Sequence, residues 1–163
     1  MASDGEYLIG LWFEGQKYFQ STIDAEVNDS EQLEVFAQTR QWLDYYFQGH
    51  EPAFLPPIRL VGSEFRRQVG QILLSIPYGQ TMTYGEIASK MSQLMGKPRM
   101  SAQAVGGAVG HNPISVIVPC HRVVGSNGSL TGYAGGIDLK VNLLKLEHVE
   151  MSHLFVPHKG SAI

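Results

Sequence analysis

The sequence predicts an α+β protein built in two parts, and three observations predict it. The chain opens on a short stretch rich in aromatic and branched residues, it then crosses a proline-rich segment, and beyond that it runs through helices that each begin at a capping residue. Strand-like residues gathered at one end and helices at the other give segregated α+β architecture rather than an alternating βα pattern.

In the opening part, Tyr7–Phe13 (YLIGLWF), a turn at Glu14 and Gly15, and Lys17–Phe19 (KYF) read as a hairpin of two short strands. A polar stretch follows, with Asp29 and Ser30 as cap candidates. Leu33, Phe36, Leu43 and Phe47 then recur at near-helical spacing until Gly49 stops the helix. Pro52, Pro56 and Pro57 forbid regular helix and favour an extended crossing, which sets the boundary between a domain over 1–61 and one over 62–150. Residues 151–163 form a mixed tail expected to pack loosely or lie along the surface.

In the second part, Ser63 can cap a helix whose apolar face is Phe65, Val69, Ile72, Leu73 and Ile76. Thr83 followed by Glu86 matches the capping box, with Ile87, Ala88, Met91 and Leu94 continuing that helix. A turn through Gly96, Lys97 and Pro98 leads to Ser101, which caps the small-residue run AQAVGGAVG. Helix, short turn and a second helix of small residues read as a helix-turn-helix, whose backbone can approach a groove wall closely; the same run also suits tight packing inside a core. ISVIV (114–118) reads as a short buried strand entering Pro119, Cys120, His121 and Arg122. Gly125, Ser126, Asn127 and Gly128 then give a hairpin turn resembling a wing. Asp138 can cap a last helix with Leu139, Leu143, Leu144 and Leu146 inward and Glu147 one step beyond.

Composition narrows the function classes. A chain of 163 residues that is 44% hydrophobic can bury a substantial core. The amino terminus lacks a basic region followed by an apolar run, and no stretch approaches the ~20 apolar residues of a membrane span, so the expectation is a cytoplasmic protein without membrane contact. One cysteine excludes an internal disulfide and a multi-cysteine zinc site, leaving packing or chemistry for Cys120. The net charge of −3 conceals an asymmetry. Residues 1–61 hold three Lys/Arg against ten Asp/Glu, whereas 62–150 hold eight against five. That mildly basic second part can turn a face toward phosphates, though scattered charge would look similar.

A thiol is a weak nucleophile until a base takes its proton, and His121 beside Cys120 supplies a group that titrates near neutrality. Adjacent side chains on a strand point to opposite faces, so the pair needs a turn or a bridging water, and Pro119 supplies the irregularity. Glu147 is the downstream carboxylate placed to orient the imidazole. Read without further context, a lone cysteine after an apolar run also suits inert packing.

PCHRVV, preceded by GHNP and followed by GYAGG and a helix ending in LLKLE, resembles the active-site region of the O6-alkylguanine-DNA alkyltransferases. The resemblance spans about residues 63–148, while 1–61 fits only the outline of that family's first domain. It implies an RNase-H-like α/β domain followed by a winged-helix-like domain that binds the minor groove of double-stranded DNA containing O6-alkylguanine. It also implies a monomer, no cofactor and no metal. By the same resemblance, Cys120 is the alkyl acceptor, activated through a water by His121, which Glu147 orients, and Tyr84 donates a proton toward the leaving guanine. Asn112 ties down the turn before the active-site segment, and the carbonyls of Cys120 and Val123 accept from the guanine amino group. Tyr133, Ala134 and Gly135 close over the flipped base, Arg122 braces the site, and Lys140 matches a loop-side lysine. Flipping gives an O6-alkyl group access to a buried thiol. The product is a thioether that nothing here could hydrolyse, so one molecule would repair one lesion.

The chain departs from the family at Gln103, where many members carry an arginine that fills the space left by the flipped base. Glutamine keeps hydrogen bonding but gives up cationic stacking; a solvated helix position would look the same. Two rivals belong to other classes. One is a lesion-flagging protein without chemistry, against which Cys120 itself argues; the other is a Cys–His hydrolase, which would turn over repeatedly.

Overall fold

A computed structural model describes residues 1–21, 23 and 32–157. Strand β1 (Ala2–Ser3) pairs antiparallel with β2 (Leu8–Gly10). The hairpin therefore forms earlier than the sequence suggests, and Lys17–Phe19 is not a strand. Positive φ at Gly15, Tyr18 and Gln20 breaks extension there. The backbone around β2 bonds elsewhere: Leu8 N–H to Pro57 O and Arg59 N–H to Leu8 O, then Leu11 N–H to Pro113 O and Ser115 N–H to Leu11 O. The opening strand thus stitches the proline-rich crossing to the segment before Pro119.

Helix α1 (Glu34–Tyr46) buries Val35, Thr39, Trp42 and Tyr46. That face differs from the expected one: Leu33 is the N-cap residue, Phe36 and Leu43 are partly buried, and Phe47 is 49% exposed beyond the helix. Aromatic bulk decides the rotation, since Trp42 stacks on Tyr46 with centroids 5.1 Å apart. The cap candidates Asp29 and Ser30 lie outside the described residues. Residues 51–62 cross without helix, with Ile58 bridged to Leu8.

Helix α2 (Glu64–Leu74) is capped by Ser63, whose Oγ accepts from Arg66 N–H. Strand β3 (Met82–Thr83) runs into α3 (Tyr84–Leu94), opened by the full capping box of Thr83 and Glu86. Leu94, expected inward, is 63% exposed. Ser101 caps α4 (Ala102–Gly110), which packs against both α2 and α3.

ISVIV is buried but is not a strand. Val116 has φ of +69°, and Ile117 N–H and Cys120 N–H reach back only two residues, to Ser115 O and Val118 O. Asn112 replaces the missing partner strand: its amide donates to Ile114 O at 3.1 Å and Val118 O at 2.8 Å, and its carbonyl accepts from Ile114 N–H. The coil ends in a 3-10 turn, Cys120–Arg122, followed by β4 (Val123–Val124).

Strand β4 pairs in parallel with β3, Met82 opposite Val123 and Thr83 opposite Val124. This two-residue ladder sets the first residue of α3, Tyr84, beside the turn that carries Cys120. Gly125–Gly128 does turn the chain, closed by Gly125 N–H to Ser129 O, but the returning residues bridge Phe155 of the tail rather than extending a hairpin ladder. The tail is thus tied down at Phe155. Helix α5 (Ile137–Leu146) starts at Gly136, with φ of +92°, so Asp138 is not the cap; it lies in the first turn, where its charge suits the helix dipole. One core cluster joins Leu8, Val35 and Trp42 to Val69, Ile87, Val105 and Val118, so the two halves of the chain share their interior.

Candidate active site

The 3-10 turn buries Cys120, His121 and Arg122 together, and Glu147, at the C-terminal cap of α5, comes to meet them. His121 Nε2 lies 2.6 Å from Glu147 Oε1, both side chains fully buried. Arg122 Nε donates to Glu147 Oε2 at 2.7 Å and its Nη2 to Oε1 at 3.0 Å, while Nη1 donates to Ile76 O at 2.6 Å. Arg122 thus ties Glu147 to the carbonyl that follows α2. Burial alone would raise the Glu147 carboxyl, but hydrogen bonds from His121 and Arg122 and their charges hold it down to about 2. Burial lowers His121, so the imidazole rests neutral, and its Nδ1 has no hydrogen-bond partner among the described residues.

Cys120 is 5% exposed. Burial pushes its thiol up, opposed by a hydrogen bond from the Asn112 amide to Sγ at 3.1 Å and by the charge of Lys140. The thiol therefore keeps its proton at rest, with Asn112 and Lys140 offsetting part of the effect of burial. Lys140 is fully buried on α5, its Nζ donating to Val123 O and to Thr131 O; burial lowers it to about 8. The Val123 carbonyl, expected to face substrate, thus already accepts from Lys140.

Tyr84 donates long hydrogen bonds to Thr131 O at 3.3 Å and Gly132 O at 3.4 Å. Burial and the neighbouring Cys120 push its hydroxyl up to about 12. Tyr133 sits edge-on to His121, with centroids 6.4 Å apart, and its buried hydroxyl has no hydrogen-bond partner among the described residues. Ala134 O accepts from Lys17 N–H, pinning this loop to the opening segment. At Gly135 a Cβ would meet Leu139 at 2.8 Å and the Tyr133 ring at 3.0 Å, so a side chain there would require Leu139 and Tyr133 to shift.

The family profile described as 6-O-methylguanine DNA methyltransferase, DNA binding domain, matches residues 64–149. The chain belongs to this methyltransferase family. It is 47% identical over 139 residues to the methylated-DNA–protein-cysteine methyltransferase of Methanosarcina acetivorans, covering 82% of this chain and 86% of that one. It is 42% identical to the inducible enzyme of that name from Bacillus subtilis, covering 81% and 69%. Among solved structures, Mycobacterium tuberculosis OGT in complex with DNA superposes with a TM-score of 0.74 at 41% identity, covering 90% of this chain and 83% of that one. The α+β fold class read from the sequence holds.

Not every expected residue of this methyltransferase converges on the thiol. Gln103 lies exposed on α4, where with Tyr84, Ala102, Gly106, Gly110, Thr131 and Gly132 it lines a cavity of about 230 Å³. Tyr84 lines that cavity and is also electrostatically coupled to Cys120. The sequence reading missed Tyr46. Its hydroxyl donates to Glu147 Oε1 at 2.6 Å and lies 3.4 Å from His121 Nε2. The available signal was a tyrosine one turn after a buried tryptophan, whose hydroxyl then needs an interior partner.

The charge reading also needs correction. Arg122 and Lys140 are buried in the site, so they do not contribute to a phosphate-facing surface. Exposed cations near the α3–α4 turn are Lys90, Lys97 and Arg99.

Proposed function

We infer that this chain is a direct-reversal DNA repair protein that transfers the alkyl group of O6-alkylguanine in duplex DNA irreversibly to Cys120. One observation carries the reading: the single cysteine of a methylated-DNA–protein-cysteine methyltransferase relative is buried beside a neutral histidine whose far nitrogen is bound to a carboxylate. We divide the chain into domains at 61/62 and take it to act as a cytoplasmic monomer on the minor groove, with α4 entering the groove and Tyr133, Ala134 and Gly135 closing over the flipped base.

The chemistry follows from the groups present. The Cys120 S–H proton passes through a water to Nδ1 of His121. The resulting imidazolium is stabilised by Glu147, a carboxylate that stays ionised at any working pH. Sulfur forms its bond to the alkyl carbon as the carbon–O6 bond breaks, and that electron pair stays on guanine. Tyr84 keeps its proton until charge develops on the base, then redirects its weak hydrogen bonds toward the leaving group; Lys140 and Asn112 steady the sulfur while it is anionic. A thioether has no route back, so each molecule acts once.

Intact mass before and after incubation with O6-methylguanine duplex tests the reading. A gain of one methylene, ~14 Da, on the peptide holding Cys120 is expected, stopping at one equivalent. Cys120→Ser should abolish the gain while duplex binding persists. Repeated turnover, or transfer surviving in Cys120→Ser, would overturn the assignment.

A further inference from the structure

Tyr46 belongs to α1, in the half of the chain that the family profile does not reach, yet its hydroxyl ends inside the Cys120–His121–Glu147 cluster. We propose that Tyr46 is a positioning residue of the transfer reaction: its hydrogen bond tempers the charge of the carboxylate that holds His121, and so sets how readily His121 Nδ1 takes the thiol proton. The proposal rests on Cys120 being the acceptor.

A carboxylate only accepts, so the Tyr46 proton is committed to Oε1 in a charge-assisted bond of 2.6 Å. The lone pairs of the tyrosine oxygen then face His121 Nε2 at 3.4 Å. Nε2 faces that same accept-only carboxylate at 2.6 Å, so Nε2 carries the hydrogen and directs it to Oε1, and the tyrosine oxygen accommodates it. Nδ1, the buried nitrogen without a partner, is thereby the base. Burial and the adjacent Glu147 push the Tyr46 hydroxyl well up, so this donor never ionises.

Other groups hold the frame. Arg122 grips both carboxylate oxygens and Gly79 N–H approaches Oε2 at 3.4 Å, so Glu147 keeps its place without Tyr46. The charged and titratable groups facing His121 are Glu147 and Lys140 from α5, Cys120 and Arg122 from its own turn, Tyr133 from the loop and Tyr46 from α1. Tyr78 packs edge-on to Tyr46. Of these, Tyr46 bonds to the same carboxylate oxygen that His121 uses, so its removal returns charge to that oxygen and makes His121 easier to protonate.

The test is the single-turnover pH–rate profile of the full chain with Tyr46→Phe, normalised to the alkylatable fraction, beside the imidazole nitrogen shifts of His121. The acid limb should move to higher pH by about half a unit to one unit, with the loss of rate concentrated below neutrality. The imidazole should remain the Nε2–H tautomer held by Glu147, with its nitrogen-shift titration moving together with the acid limb. Replacing Tyr46 with 3-fluorotyrosine, a stronger donor of nearly the same shape, should move the limb the opposite way, which keeps the test alive if the phenylalanine variant folds poorly. An acid limb and an imidazole titration indifferent to both replacements would reduce Tyr46 to a core residue, even if melting temperature falls. Should wild-type Cys120 take no alkyl group, the functional reading fails, whereas the nitrogen shifts still decide the role of Tyr46.

Discussion

Lys140, buried on α5, donates to the carbonyl oxygen of Val123, the residue immediately after the Cys120–Arg122 turn. A buried ammonium is costly unless something uses its charge, and here it also lowers the thiol of Cys120 against the effect of burial. Lys140→Met keeps the length of the side chain but removes donor and charge. We expect transfer to slow at least tenfold at pH 7, read by single-turnover kinetics. Because burial brings Lys140 to about 8, the natural side chain loses its proton above that pH, so the gap between the two proteins should narrow there. A constant ratio from pH 6 to 9 would remove the charge of Lys140 from the mechanism.

Glu147→Gln should affect stability as well as rate. The carboxylate neutralises Arg122, which is almost fully buried, and removing one partner of such a pair costs about 3–5 kcal/mol. The melting midpoint should drop clearly, and the folded fraction should still transfer more slowly because the imidazolium has lost its counter-charge. A variant as stable as the parent would mean that the Arg122–Glu147 pair is not closed in solution.

Acid should destabilise the protein in two stages. Burial lowers His121 from 6.5, so the folded state favours neutral imidazole. That contribution is complete above pH 6.5 and is lost as pH falls below it. Glu147, lowered from 4.5 to about 2, contributes stability above 4.5 that fades on further acidification. Melting temperatures taken from pH 8 to 3 should decline first below about 6.5 and again below about 4.5. A flat response between pH 7 and 5 would show that His121 is not buried as a neutral ring.

Gln103 stands at the mouth of the cavity behind Tyr84, exposed at the start of α4. Gln103→Arg should tighten binding to lesion duplex or speed flipping, by adding cationic stacking over a base face. Gln103→Ala should slow repair of duplex more than reaction with free O6-benzylguanine, which needs no flipping. Equal losses on both substrates would assign Gln103 to the pocket instead of the base stack.

What the sequence made legible was local. Ser63, Thr83 with Glu86, and Ser101 cap their helices as read, because a cap depends on residues three or four apart. The Cys120, His121 and Glu147 grouping followed from pattern and resemblance. Two of the failures have a non-local cause, and the third turns on one glycine's backbone. ISVIV has the composition of a strand, but the Asn112 side chain supplies the hydrogen bonds a neighbouring strand would have given. The face of α1 turned on Trp42 and Tyr46, and Tyr46 finds its partner 101 positions away. Asp138 lost the cap to Gly136, whose φ of +92° suits glycine far better than other residues.

The seam between the Gly125–Gly128 turn and the tail links distant edits of the chain. Phe155 N–H bonds to Gly128 O and Leu130 N–H to Phe155 O, and a Cβ on Gly128 would strike His153 O at 2.1 Å. Val124, Leu130, Leu144 and Val149 form a small interior beneath this seam, Leu144 coming from the helix that delivers Lys140 and precedes Glu147. Residues 153–155 and Gly128 are therefore one mutational unit despite their separation. Proteolytic clipping after Glu150 would leave the seam's hydrogen bonds unmet, and the first loosening would reach α5 from its far side, dulling the chemistry without touching a residue that performs it.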